Sequence, residues 1–262
     1  IESADGPVVS LVHYAAHTTV LNPSSTVVSR DWPGVMIDRL EKASGGPAMF
    51  INGALGDVAP RTNSGRAVGD GEASLHEAGG RAATDALRAW RSAADVRPAN
   101  LSSLNHPVEL PYAPLPSREE AKRMAAATEA GREQVGAPRA EWSHWQAVLR
   151  ALDEPTQKCF AYDATILALG PVSCVPLPGE PFIRIALRLR DRSPFPHTIT
   201  AGVCGGYVGY LCDQESLVRR GFERWAARHR AAYEFVDNID DIVVDTCRQL
   251  LDQLHTVHAS SR

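Results

Sequence analysis

The 262-residue sequence has no long uninterrupted apolar run. Its longest, Thr165 to Leu177, is broken by Gly170 and Pro171 and falls short of the ~20 residues that span a bilayer, so no transmembrane segment is expected. An excess of positive charge is also missing: 27 Lys and Arg stand against 31 Asp and Glu, for a net charge of -4. The Arg219-Arg220 pair is offset by Glu215 and Glu223, and without a basic field nucleic acid is excluded as a partner. The five cysteines have no CxxC or other metal-ribbon spacing, which argues against a disulfide framework and a thiolate metal site and leans toward a reducing, cytoplasmic setting. Aromatic residues make up only 6% of the chain, giving no support for a long lipid-lined channel. The first residues, IESADGP, lack the charged-then-apolar pattern of a secretory leader. They read instead as a strand end and a turn, as though the chain begins inside a fold.

What is present is the composition of one large globular domain, 44% hydrophobic and 22% charged. Val8 to Ala15 is mostly apolar and β-branched, which predicts a strand covered on both faces. Asp31 precedes Trp32-Pro33-Gly34 and a run with helical spacing, placing it as the helix cap. Strands are predicted over Ala48–Asn52, Leu101–Leu110, Cys159–Leu169, Val172–Pro176 and Thr198–Val203. Helices are predicted over Ala73–Ala94, Phe182–Arg190, Ser216–Ala232 and Asn238–His255. Two charged helical segments, Arg118–Glu133 and Arg139–Leu152, read as an exposed excursion over residues 117–152. The alternation implies an α/β fold, with a mixed, largely parallel sheet sandwiched by helices in a single domain.

In such a sheet, functional groups collect where strands run into loops. Four loops there hold unusual residues: Ala16–Asn22, Gly53–Arg61, Pro178–Pro181 and Cys204–Leu211. His17 in the first is either a packed structural histidine or a metal ligand. Glu180 in the third sits where a helix dipole alone would favour a carboxylate, but it has no basic neighbour before Arg184. The fourth, CGGYVGYLCD, holds two tyrosines among glycines, as an aromatic turn would. Asn52 precedes the second loop and Asp57 lies within it, either as a glycine turn with an Asx hydrogen bond or as groups that contact substrate and order the loop.

Taken together, HYAAHTTVL, SRDWPGV, FINGALGDVAPR, PLPGEPF and GGYVGYLCDQES followed by GFE resemble, in order and spacing, the neutral/alkaline ceramidase family and its bacterial ceramidase-like relatives. The resemblance spans Val8 to about Glu223. It implies a zinc hydrolase that cleaves an amide, N-acyl compounds among them, so that a small-molecule or lipid-like amide is the implied partner. By the same resemblance His17, Glu180 and Tyr210 correspond to zinc ligands, with Tyr210 also placed in catalysis. The family's second ligand histidine belongs to an upstream element that does not precede Val8 here, so the domain is expected to lack its N-terminal part. Two departures bear on chemistry. Ala59 stands where ceramidases carry the serine of GDVSP, and Phe222 where a tyrosine is usual. The alternative to an enzyme is a degenerate, inactive member that uses the same cleft for binding or assembly.

Overall fold

Val12 and Phe50 lie side by side on two parallel strands, and the helices that cover them set the first half of the molecule. The computed structural model describes residues 1–3, 6–96, 100–219, 226 and 232–260. A short antiparallel hairpin, β1 (Glu2–Ser3) and β2 (Gly6–Pro7), leads into β3 (Ser10–Tyr14), which pairs in parallel with β4 (Ala48–Asn52). Between them runs α1 (Asp31–Ser44), whose Trp32, Met36, Ile37 and Leu40 recur at helical spacing and are buried. Its end is set by Gly45, left-handed at φ 74°, whose N–H donates to the Glu41 carbonyl. A second small hairpin, β5 (Arg61–Thr62) with β6 (Gly65–Arg66), precedes α2 (Glu72–Arg91). The two helices approach closely because Gly79 has no side chain: a Cβ there would stand 2.6 Å from the Trp32 carbonyl oxygen.

The larger sheet has four strands. Here β7 (Leu101–Pro111) and β8 (Cys159–Leu169) form a long antiparallel pair, β9 (Val172–Pro176) adds antiparallel to β8, and β11 (His197–Ala201) adds parallel to β9. The connection between β7 and β8 carries α3 (Arg118–Ala127), a single 3₁₀ turn and α4 (Ala137–Ala151). Arg118, at the start of α3, bonds the Leu152 carbonyl and Asp153 just past α4. After β9 come β10 (Glu180–Pro181) and α5 (Ile183–Arg192); after β11 come β12 (Tyr210–Leu211), α6 (Gln214–Arg219) and α7 (Ile239–Ser260). Alternation along β8 buries Tyr162, Ala164, Ile166 and Ala168, which pack with Ile185 and Leu189 of α5 and Val244, Leu251 and Leu254 of α7. The result is an α/β architecture with mixed sheets. No helix among the described residues is long and apolar enough to cross a membrane, and all five cysteines are free thiols.

Three sequence expectations are modified. The Val8–Ala15 strand is not covered on both faces: Val12 packs inward, whereas Leu11 is 48% exposed and its register partner Met49 is 59% exposed. A mostly apolar segment in which Leu11 and Val12 adjoin carries no clean alternation to separate an inner from an outer face. Asp31 is not the capping position, which falls on Arg30. It opens α1 at φ 54°, and its carboxylate accepts N–H bonds from Val20, Leu21 and Trp32, tying the loop after β3 to the helix start. The helix predicted over Ser216–Ala232 is seen as α6 up to Arg219; most of its remainder, together with Phe222 and the GFE element, lies outside the described residues.

Candidate active site

The four loops singled out in the sequence meet where two parallel pairs end side by side. The carbonyl of Asn52, last residue of β4, accepts from Gly202, just past β11. Other backbone bonds lace the loops together: His17 N–H to the Val58 carbonyl, Gly56 N–H to Pro181, Glu180 N–H to Gly209 and Val208 N–H to Pro178. Glycine makes this approach feasible. A Cβ at Gly56 would lie 2.4 Å from the Glu180 carbonyl oxygen, and one at Gly202 would lie 2.5 Å from that of Gly53. Val203 adopts φ 54°, a conformation that costs a β-branched residue of order 1–3 kcal/mol, and its N–H donates to the Gly179 carbonyl at 2.6 Å.

This frame brings His17 and Glu180 together from opposite parts of the chain. His17 Nε2 stands 3.7 Å from Glu180 Oε2 and 3.3 Å from the Gly56 carbonyl oxygen. Both side chains are mostly buried, at 17% and 11% exposure. The other carboxylate oxygen, Oε1, accepts the hydroxyl proton of Tyr207 at 2.5 Å. Tyr210 is buried beside them. It pairs in register with Glu180 across β10 and β12, and its ring stands edge-on to His17 at 6.1 Å and to Phe182 at 6.1 Å. The Y-x-x-Y element thus sends both tyrosines to the site, and the hydroxyl on Glu180 belongs to the first of them, a residue the sequence reading passed over.

Asn52 and Asp57 are placed as supports. The Asn52 side chain accepts from the Ala16 N–H at 3.3 Å and donates to the Ala16 carbonyl at 3.0 Å, holding the residue next to His17 from both sides. The Trp32 indole N–H fixes the other flank through the His17 carbonyl at 2.9 Å. Asp57 Oδ1 accepts from Ile183 N–H at 2.7 Å, capping α5 immediately after the Glu180 strand. His13, four residues before His17, is engaged elsewhere, at 3.0 Å from the Thr200 carbonyl.

Two carbonyl or carboxylate oxygens around one imidazole nitrogen make a point of negative potential that suits a cation. Tetrahedral zinc, at ~2.0–2.2 Å from N and O ligands, sets neighbouring ligand atoms roughly 3.3 Å apart, close to the observed 3.7 Å between His17 and Glu180. Among the described residues no group of three or more His, Cys, Asp and Glu side chains gathers to hold a metal.

No family model matches the chain, and no curated protein matches it. Solved structures do. The crystal structure of neutral ceramidase from Pseudomonas aeruginosa aligns over 97% of this chain and 46% of its own, with a TM-score of 0.62 at 17% identity. A ceramidase complexed with C2 aligns over 97% of this chain and 47% of its own, with a TM-score of 0.63 at 14% identity. The chain therefore spans less than half the length of either solved chain, and at this identity the likeness is one of fold.

Proposed function

We propose that this chain, which carries the neutral-ceramidase fold over nearly its whole length, contributes the larger part of a zinc-dependent hydrolase centre that cleaves an amide bond, N-acyl amides among them. The observation that supports it best is the meeting of His17 Nε2 and the Tyr207 hydroxyl on the two oxygens of the mostly buried Glu180. In this reading His17, Glu180 and Tyr210 hold the metal, as the family resemblance implies. Zinc, when bound, supplies a Lewis acid that polarises a carbonyl and lowers the pKa of water toward ~7.

The chain's own residues do the rest. The Tyr207 hydrogen bond fixes the rotamer of the Glu180 carboxylate beside the imidazole. Tyr210 lies close enough to His17 to serve the oxyanion side of the reaction through its phenol. Asn52 and Asp57 brace the frame through side-chain bonds to Ala16 and Ile183. No hydroxyl nucleophile is assigned to the second loop, where Ala59 has no polar atom.

Zinc content and turnover of a panel of N-acyl amides, measured on the same purified protein, test this reading. About one zinc per chain and amide hydrolysis that disappears in Glu180→Ala are the expected results. Zinc-loaded protein that hydrolyses none of the amides would leave the alternative of a binding or assembly role, which Ala59 favours.

A further inference from the structure

The loop that carries Ala59 runs into a small hairpin that sets two arginines side by side. Strands β5 and β6 pair Thr62 with Gly65 and Arg61 with Arg66. The Ala67 N–H donates to the Pro60 carbonyl just outside the second pair. Arg61 and Arg66 therefore oppose each other in the closer, non-hydrogen-bonded kind of cross-strand position, with Cβ atoms roughly 4.5–5.5 Å apart. The hairpin is pinned by its other side: Thr62 and Ala67 are buried, the Thr62 and Ser64 hydroxyls meet at 2.8 Å, and Glu77 accepts the Asn63 N–H at 2.7 Å. Both arginines are exposed, and among the described residues neither makes a hydrogen bond or an ion pair. The carboxylates that adjoin them in sequence are engaged with other groups, Glu77 with Asn63 and Arg81, Glu72 with His76 and Asp70 with Ser74.

Like charges directly opposite each other destabilise a strand pair. A fold that holds such a pair in place is preorganised for an anion, because two guanidinium forks can close on one group through charge-assisted hydrogen bonds. The pair also stands beside the candidate site. The His17 N–H donates to the Val58 carbonyl at 2.9 Å, and the three residues from Val58 to Arg61 span about 11 Å at most. Past the other strand of the hairpin, Gly69 N–H donates to the Thr19 carbonyl at 2.9 Å and Gly71 N–H to that of Val20 at 3.0 Å. The His17 loop is thus bonded to the chain on both sides of the two arginines. We propose that Arg61 and Arg66 together receive an oxyanion, a carboxylate or a phosphate, carried by the substrate, so that the preferred substrate is an anionic amide. The receptor stands on the hairpin itself, while its place in catalysis rests on the hydrolytic reading above.

Calorimetric titration of the purified protein reads the receptor without requiring turnover. N-octanoylglycine set against N-octanoylglycinamide probes a carboxylate, and N-octanoyl-O-phosphoethanolamine set against N-octanoylethanolamine probes a phosphate. In at least one pair the anionic member should bind about ten-fold more tightly, equivalent to ~1.4 kcal/mol, and the preference should shrink as salt screens the exposed guanidiniums. Arg61→Gln and Arg66→Gln should each reduce that preference, and the double change should erase it. The thermal midpoint of either variant should be no lower than that of the parent, since an opposition of like charges is relieved. Equal binding within both pairs, a preference that survives the double change, or a lowered midpoint that marks the arginines as partners of protein groups would overturn the proposal. If the arginine-dependent preference is found but none of these amides or the wider panel is cleaved, the receptor stands and the hydrolytic reading falls. If uncharged amides are cleaved and no preference is found, the receptor falls and the hydrolytic reading stands.

Discussion

The Tyr207 hydroxyl donates to one oxygen of Glu180 at 2.5 Å while the other oxygen faces His17 at 3.7 Å. The carboxylate is thereby divided between a fixed neutral donor and an imidazole, and its orientation depends on a residue outside the ligand set that the sequence implies.

Tyr207→Phe removes that donor and little volume. Loss of a group that orients a ligand typically costs 10–100-fold in metal affinity or activity, so zinc affinity measured by competition with a chelator should fall by about that factor. The thermal midpoint should move by no more than the loss of one hydrogen bond, ~1–3 kcal/mol. Zinc affinity that is unchanged in Tyr207→Phe would remove Tyr207 from the site.

Asn52→Ala leaves both backbone groups of Ala16 without the side-chain amide that now satisfies them. Ala16 is buried at 2% exposure, so the cost should be ~1–3 kcal/mol in denaturant unfolding. Asn52→Asp keeps an acceptor for the Ala16 N–H but places a carboxylate against the Ala16 carbonyl. It should therefore be no better than alanine, whereas a substrate-contact role would instead change KM with stability preserved.

Gly56→Ala should be among the most damaging small substitutions. Its methyl would meet the Glu180 carbonyl oxygen at 2.4 Å and a Phe182 ring carbon at 2.8 Å. Overpacking of this kind costs ~1–3 kcal/mol, and relief requires the Glu180 strand to back away from His17. Unfolding measurements together with zinc titration check it, with both stability and metal affinity expected to fall.

Alkaline pH should destabilise the fold well above neutrality. Burial pushes the Cys174 thiol up to about 11, with Cys204 adding to the rise, and the Cys247 thiol up to about 12, both from 9.0. Burial raises the Tyr162 phenol as well. Each group holds its proton more tightly folded than unfolded, so this stability is fully present below about pH 9 and is lost as pH climbs through the folded values. Urea midpoints measured from about pH 8 upward should fall steeply beyond about pH 10, and Cys247→Ala should flatten that fall while lowering stability at pH 8.

Local patterns gave the elements their edges. The strands Ala48–Asn52, Cys159–Leu169 and Val172–Pro176 have the bounds that their apolar runs and the neighbouring glycines and prolines imply. The meeting of the four loops could not be read from spacing, because it depends on the pairing of β10 with β12 and on the Gly202–Asn52 bond between distant segments. Only the family resemblance linked His17 to Glu180 beforehand. The choice between Tyr207 and Tyr210 was opaque for a similar reason. The two are alike in sequence, and what distinguishes them is the register Glu180–Tyr210 and the Val208–Pro178 bond, which together fold the loop so that Tyr207 reaches across to the carboxylate. The uncovered side of β3 left no trace because its apolar run does not alternate.

The close approaches at Gly56 and Gly202 mean that the cradle of the site is made of backbone contacting backbone. Such a scaffold does not depend on the side chains of His17, Glu180 or the tyrosines, though Asn52, Asp57 and Trp32 brace it. On the proposed reading, exchanging His17, Glu180 or either tyrosine alters reactivity while leaving the loops interlocked, whereas a single methyl added at one of the glycines forces them apart. The side chains at the loop tips and the architecture that carries them are therefore under separate control, and the residues displayed there can change without surrendering the fold that frames them.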